Sequence, residues 1–264
     1  MEKYKEIIDK LDQLIEKHQL SEYKKDIHSL SKETILINSS LEEDYSELGN
    51  TRFGGVPDLA FGIEWPKSKY QDVLLTFLCQ INLSDIKLEK SVLPTEGILY
   101  YFLGDIDDSE DIENKVLFYD GDLSNLKKHP EMNRENFFED YYLETKPHKG
   151  EVIYSLTLPE DLLDIFFKYK ISKNEMVIEK YNDLCIEYNN LIGKYTANLL
   201  GYYFGEEEIR NDSNNNTAVN LLELCSDSKV GFSFWDNGST CFLIKEKALK
   251  TRNFNKVYCA IYSS

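Results

Sequence analysis

Basic residues are scarce in this chain. Its 30 Lys and Arg face 47 Asp and Glu, leaving a formal charge of −17 at pH 7. That deficit repels phosphate backbones and anionic lipid, so general nucleic-acid and membrane-surface binding are excluded as expectations. Long hydrophobic runs are missing too: no stretch approaches the roughly 20 apolar residues of a membrane span. The opening MEKYKEIIDKLDQLIEKHQ is charged throughout and lacks a signal-peptide core. Cys79, Cys185, Cys225, Cys241 and Cys259 are odd in number and form no CxxC, so they read as reduced core residues of a cytoplasmic protein. No phosphate loop, dinucleotide fingerprint, H-E-x-x-H pair or G-x-S-x-G elbow occurs. His18, His28, His129 and His148 are scattered through polar segments. No cofactor and no metal are expected.

What is present is a chain of 264 residues, 42% hydrophobic and 13% aromatic, enough for a substantial core in a single domain spanning residues 1–264. Tyr4, Ile7, Ile8, Leu11, Leu14 and Ile15 recur at spacings of three and four, which predicts an N-terminal amphipathic helix over about 2–18. Ser21 is the expected N-cap of a second short helix. Thr34–Asn38, Leu74–Asn82, Gly97–Leu103 and Val116–Tyr119 read as strands. Residues 120–150 read mostly as loop and short helix, with Thr157 capping a helix that begins at Pro159. A longer helix is predicted over about 174–192. The exposed loop GEEEIRNDSNNN follows, then strands at 219–225, 230–235 and 239–244. In the tail, Val257, Cys259 and Ile261 share one strand face.

Two stretches echo one another. Gly55 and Gly201, Leu75 and Leu221, Leu78 and Leu224, and Cys79 and Cys225 are each 146 residues apart, and Gly97 and Gly238 each open a later apolar run. The expected architecture is therefore α+β, with mainly antiparallel sheets in two pseudo-repeated halves, about 51–103 and 199–244, and flanking helices.

The motifs TRFGGVPDLAFGIEWP, LLTFLCQINLSD and LPTEGILYYF, with the later Leu199-Leu200-Gly201-Tyr202, Trp235-Asp236-Asn237-Gly238 and Asn253-Phe254-Asn255-Lys256-Val257, resemble the YwqG-like family, a bacterial domain of unknown function. The resemblance covers nearly the whole chain and implies a mixed α+β fold with antiparallel sheets. It supplies no activity, cofactor or catalytic residue. Family positions Leu-Pro, Pro and Asp are Leu59-Ala60, Tyr203 and Asn237 here.

The sharpest local feature is the FGGVPD loop. Gly54 and Gly55 let backbone N–H groups approach a ligand, Arg52 is suited to an anion and Asp58 to orienting it; alternatively the loop crosses a sheet end where only Gly avoids clashes. Gln80 has an amide within reach of such a ligand, or of loop backbone. Trp65 and Trp235 are candidate aromatic anchors or core residues, and Asp236 a candidate carboxylate. The acidic stretch 104–113 has no Ca²⁺-loop glycine and reads as solvated. Two functions follow as expectations. One is a non-catalytic module that binds a basic protein, immunity-like in one version. The other is a small-molecule-binding protein or hydrolase with its site where the halves meet.

Overall fold

The computed structural model describes residues 4–87, 92–138, 143–159, 175–203 and 218–263. The predicted helix after Pro159 and the loop GEEEIRNDSNNN lie outside them. The spine of the molecule is an antiparallel pair, β1 (Lys32–Glu42) and β8 (His148–Thr157), running from Lys32 opposite Thr157 to Ser39 opposite Gly150. Outward from β1 come β9 (Ala197–Leu199), β10 (Ala218–Cys225), β11 (Ser239–Lys245) and β12 (Tyr258–Tyr262). Outward from β8 come β2 (Arg52–Phe53), β4 (Thr76–Asn82), β5 (Ile98–Leu103) and β6 (Asn114–Tyr119). All neighbours in this ten-stranded sheet are antiparallel. A separate ribbon pairs β3 (Asp58–Ala60) with β7 (Leu126–Lys128).

The sheet curls until it is nearly a barrel. Its seam is bridged by the stretch after β5: Ile112 N–H donates to the Cys259 carbonyl at 3.0 Å, the Ser109 carbonyl accepts from Ile261 N–H at 2.8 Å, and Trp235 Nε1 donates to the Ile106 carbonyl at 3.1 Å. The acidic segment is therefore more than the solvated loop its charge predicts. Asp107, Asp108, Glu110 and Asp111 face water, but Ile106 and Ile112 are buried and the backbone covers a strand edge that would otherwise be unpaired.

The barrel interior is filled by Phe53, Leu78, Tyr101, Leu221, Phe242 and Ile261 among others. Tyr101 and Phe242 meet edge to face with centroids 5.2 Å apart. Outside β8 lie α1 (Lys5–Lys17), α2 (Lys24–Leu30) and α3 (Glu175–Ile192), whose Leu11, Ile15, Ile27, Leu184 and Tyr188 cluster with Leu156. The ribbon and its flanking loops cover the outer face of β4 and β5. There Trp65 stacks edgewise on Phe77, Phe102 and Phe137.

Several local expectations change. Ser21 opens a 3₁₀ turn and caps nothing, while α2 starts three residues later with Tyr23 at its N-cap. Residues 230–235 form no strand, only the isolated Asp227–Phe232 bridge. Strand β8 replaces the loop expected at its start and ends at Thr157; the helix that Thr157 is expected to cap lies outside the described residues. Val257 falls just before β12, where Cys259 and Ile261 point inward.

Each outer arm of the sheet carries one bulge, and in each a glycine lies against the outermost strand. Leu78 is the extra residue between the Phe77–Phe102 and Cys79–Tyr101 pairs, and Leu221 is the extra residue between the Asn220–Leu243 and Leu222–Phe242 pairs. A Cβ on Gly97 (φ +103) would sit 2.7 Å from the Tyr119 carbonyl, and one on Gly238 would run into the Tyr262 carbonyl. Both carbonyls belong to outermost strands of the sheet. Gly97→Ala and Gly238→Ala should each lose more than about 2 kcal/mol in urea denaturation. Gly62→Ala, at φ +87 in open space, should lose only about 1 kcal/mol.

Candidate functional site

β2 is two residues long, yet it joins β8 to β4, with Arg52 opposite Lys149 on one side and Gln80 on the other. The residues singled out in the FGGVPD motif converge at this point. Arg52 is fully buried. Its Nη2 lies 2.9 Å from Asp58 Oδ1 and donates to Gln80 Oε1 and to the Val56 carbonyl, each at 3.1 Å. Nη1 lies 3.7 Å from Glu43 Oε2, and the guanidinium packs 4.3 Å from the centroid of Tyr45. Nε and Nη1 have no hydrogen-bond acceptor among the described residues, so the cation is held by charge and ring contact as much as by directed bonds.

The other members bond largely to the protein, although Asp58 Oδ1 has only its ion pair with Arg52 and Asn50 Oδ1 has no hydrogen-bond donor among the described residues. Gln80 Oε1 also accepts from Asp58 N–H at 2.9 Å, and its Nε2 donates to the Asn50 carbonyl at 2.9 Å and to Asp58 Oδ2 at 3.0 Å. Asp58 Oδ2 accepts from Gly49 N–H at 2.9 Å, and the Asp58 carbonyl accepts from Tyr100 O–H at 2.6 Å. Glu43 accepts from Tyr45 N–H at 2.7 Å and from Asn50 Nδ2 at 2.5 Å, with Lys149 Nζ 4.0 Å away. Two cations thus balance two carboxylates. Burial raises the Tyr45 hydroxyl above its ordinary pKa, against the lowering effects of Val56 N–H and Arg52.

The twin glycines serve packing. Gly54 and Gly55 adopt φ of +65 and +67, their N–H groups donate to the Leu78 carbonyl at 2.7 Å and Thr145 Oγ1 at 3.0 Å, and Cβ atoms there would strike Lys146, Tyr45 and Pro147. The loop's donors are turned into the protein. Trp65 donates from Nε1 to the Leu75 carbonyl at 2.7 Å within its own aromatic cluster. Trp235 is part-exposed at the seam, bonded to Ile106, and Asp236 beside it is exposed; the fold leaves both outside the buried Arg52 cluster. Glu43, Tyr45 and Asn50 complete that cluster unannounced by any motif, because an acidic loop after a strand ordinarily reads as surface.

A second buried polar set sits at β9, the other narrow point of the sheet. Asn198, opposite Glu223, donates from Nδ2 to the Tyr202 carbonyl at 2.6 Å and to Glu223 Oε2 at 3.1 Å, while its Oδ1 accepts from Thr34 Oγ1 at 2.5 Å. Ser239 Oγ donates to Glu223 Oε1 at 3.1 Å. Nearby, Asp227 Oδ2 accepts from Ser39 Oγ and Thr196 Oγ1, each at 2.7 Å, tying β1 to the turn after β10. Among the described residues no group of His, Cys, Asp and Glu is arranged to hold a metal ion.

These geometries generate two expectations. Arg52→Leu leaves Asp58 and Glu43 buried without their cation and should cost about 3–5 kcal/mol in chemical denaturation, whereas a ligand-only role would leave the midpoint unchanged. Burial pushes the Asp227 carboxyl up, but hydrogen bonds from Ser39, Thr196 and Lys229 N–H outweigh it and hold the pKa below the ordinary value. Its stabilisation is therefore complete above the unfolded pKa of about 3.9 and fades as pH falls through the folded value. Asp227→Asn should cost about 1 kcal/mol at pH 7. Denaturation at stepped pH should show the gap closing below about pH 4.

A family profile described as a domain of unknown function (DUF1963) matches residues 51–262. No curated protein matches the chain.

Proposed function

The chain belongs to that family of unknown function, and we propose that it acts as a non-catalytic protein-binding module that docks a basic partner. One observation carries this reading. Phe61, directly after β3 of the β3–β7 ribbon, is 95% exposed, more than any other large apolar side chain among the described residues. Leu48 and Leu123 are also exposed, and both belong to the neighbourhood of Gly49, which bonds to Asp58 at the base of β3 and packs near Leu123. Exposed Glu47, Glu64, Asp120 and Asp122 occur in the same segments. The ribbon also carries exposed Lys127 and Lys128, and Asp120 is already paired with Arg252, so the net charge of −17, rather than a local ring of carboxylates, is what would steer a basic partner toward this apolar anchor. An immunity protein that neutralises a basic toxin is one concrete form of this function.

Within the family we place the chain among YwqG-like bacterial proteins, on the motifs around Phe53-Gly54-Gly55 and Trp235-Asp236-Asn237-Gly238. A reducing, cytoplasmic setting is supported by five free cysteines, four of them buried. We also infer that the sheet is built from two repeated halves. In support, the strands run in the same sequence outward from either side of the β1–β8 pair, and the two bulges occur at matching places in β4 and β10. Arg52 and Asn198 share one bonding pattern, each donating to the carbonyl four residues on (Val56, Tyr202) and to the side-chain oxygen of the residue opposite (Gln80, Glu223). This register matches Leu78 with Leu221, so the common spacing of 146 between the echoing sequences holds for the glycines but slips by three residues in that strand.

The test is site-specific photo-crosslinking in the native host from position 61, with position 186 on α3 as a control. A specific adduct with a basic protein is expected from position 61, and Phe61→Ala should weaken the purified complex by at least about tenfold. Absence of a position-61 adduct, or an affinity indifferent to Phe61→Ala and to salt, would overturn the reading.

A further inference from the structure

The outer face of β10, β11 and β12 differs in one respect from that of β4, β5 and β6. Phe102, directly beyond the β4 bulge, is capped by Trp65 with centroids 5.8 Å apart. Leu243 holds the corresponding position beyond the β10 bulge, and it lines an open cleft of about 390 Å³. The cleft lies between β11, the short helix α4 (Glu246–Lys250) and the start of β12. Its apolar wall is Leu243, Ala248 and Tyr258, and its rim carries Lys245, Lys247 and Lys256.

What sets these lysines apart is that three of them line a single concavity. Lys250 of the same helix pairs with Glu246 one turn away, but none of the three rim lysines forms an ion pair with a described carboxylate within 4.0 Å. In a protein with 17 surplus negative charges, three exposed ammonium groups around one concavity concentrate positive charge at its rim, against Glu110 and Asp111, the carboxylates that act on Tyr258 at its wall. The wall adds a flat, half-buried tyrosine ring and aliphatic side chains, and the volume is that of a small-ligand site. Compact ammonium groups bind phosphate as point charges without demanding a fixed bidentate geometry.

We propose that this cleft binds a small organic phosphate with an aromatic or apolar body. The body lies on Leu243, Ala248 and Tyr258, and the phosphate meets Lys245, Lys247 and Lys256. The site is separate from the Phe61 surface and does not depend on it.

Phenyl phosphate is the probe, titrated into the full chain by isothermal calorimetry and followed by ¹H–¹⁵N spectra. Saturable binding with Kd below about 1 mM is expected at low salt, weakening at least about tenfold at 0.5 M salt. Inorganic phosphate should bind at least about fivefold more weakly because it leaves the apolar wall uncovered. The K245Q/K247Q/K256Q variant changes only exposed side chains, should melt as the parent does, and should lose binding at least about tenfold. Failure to saturate by 10 mM, an unchanged Kd in the folded triple variant, or inorganic phosphate binding as tightly as phenyl phosphate would each overturn the proposal. The unsubstituted chain alone decides the first and third outcomes, so a misfolded variant would not rescue it.

Discussion

A guanidinium with no route to water dictates much of this structure. Taking the Arg52 charge out of solvent costs several kcal/mol, and only well-placed opposite charges and acceptors repay it. Asp58, Gln80, Glu43, Tyr45 and the Val56 carbonyl surround it, and they come from three separate stretches of chain. The cluster therefore fixes the loop after β1, the start of β3 and the middle of β4 relative to one another. It does so where the sheet is weakest, since β2 contributes only two residues to the ladder. At the opposite narrow point, the three-residue β9 is reinforced by Asn198, Glu223, Thr34 and Ser239. Buried polar side chains supply at both places the cross-sheet bonding that short strands lack.

The same economy explains the seam. A ten-stranded antiparallel sheet that curls this far brings its two edges together without pairing them directly. The stretch 104–113 closes that gap with backbone bonds from Ser109 and Ile112 to β12. Its carboxylates keep the bridging segment facing water while Ile106 and Ile112 anchor it inward. Charge, packing and edge protection are thus properties of one short segment.

How much of this could be read from sequence depends on the kind of signal. Strands β4, β5, β6, β10 and β11 are apolar runs bounded by turn residues, and they lie close to where periodicity predicts them. Strand β8 was hidden because His148, Lys149, Gly150 and Glu151 dilute its first half; the alternation of Val152, Tyr154 and Leu156 was the available clue. The run 230–235 misled in the opposite direction: Val230, Phe232 and Phe234 alternate like a strand but plug the barrel core from a turn. Arg52, Asp58 and Gln80 were legible as a group because the family motif places them near a glycine pair. Their role was not, because a buried ion cluster and an anion site use the same residue types. Only the partners, Glu43, Tyr45 and the glycine N–H acceptors, distinguish the two: the first two sit in an acidic loop that reads as surface, and the acceptors are a backbone carbonyl and the distant Thr145 hydroxyl. The cleft of three lysines left no sequence signature at all, since it is assembled from a strand end, a five-residue helix and a turn.

The most direct test of the Arg52 account is a double-mutant cycle at Arg52 and Asp58, using Arg52→Leu, Asp58→Leu and the pair, read by equilibrium denaturation at pH 7. A structural ion cluster predicts single losses that sum to well over the loss in the double variant, with a coupling of at least about 2 kcal/mol. Additive losses, with coupling below about 0.5 kcal/mol, would contradict it and would mean that the two side chains are not holding one another in the fold.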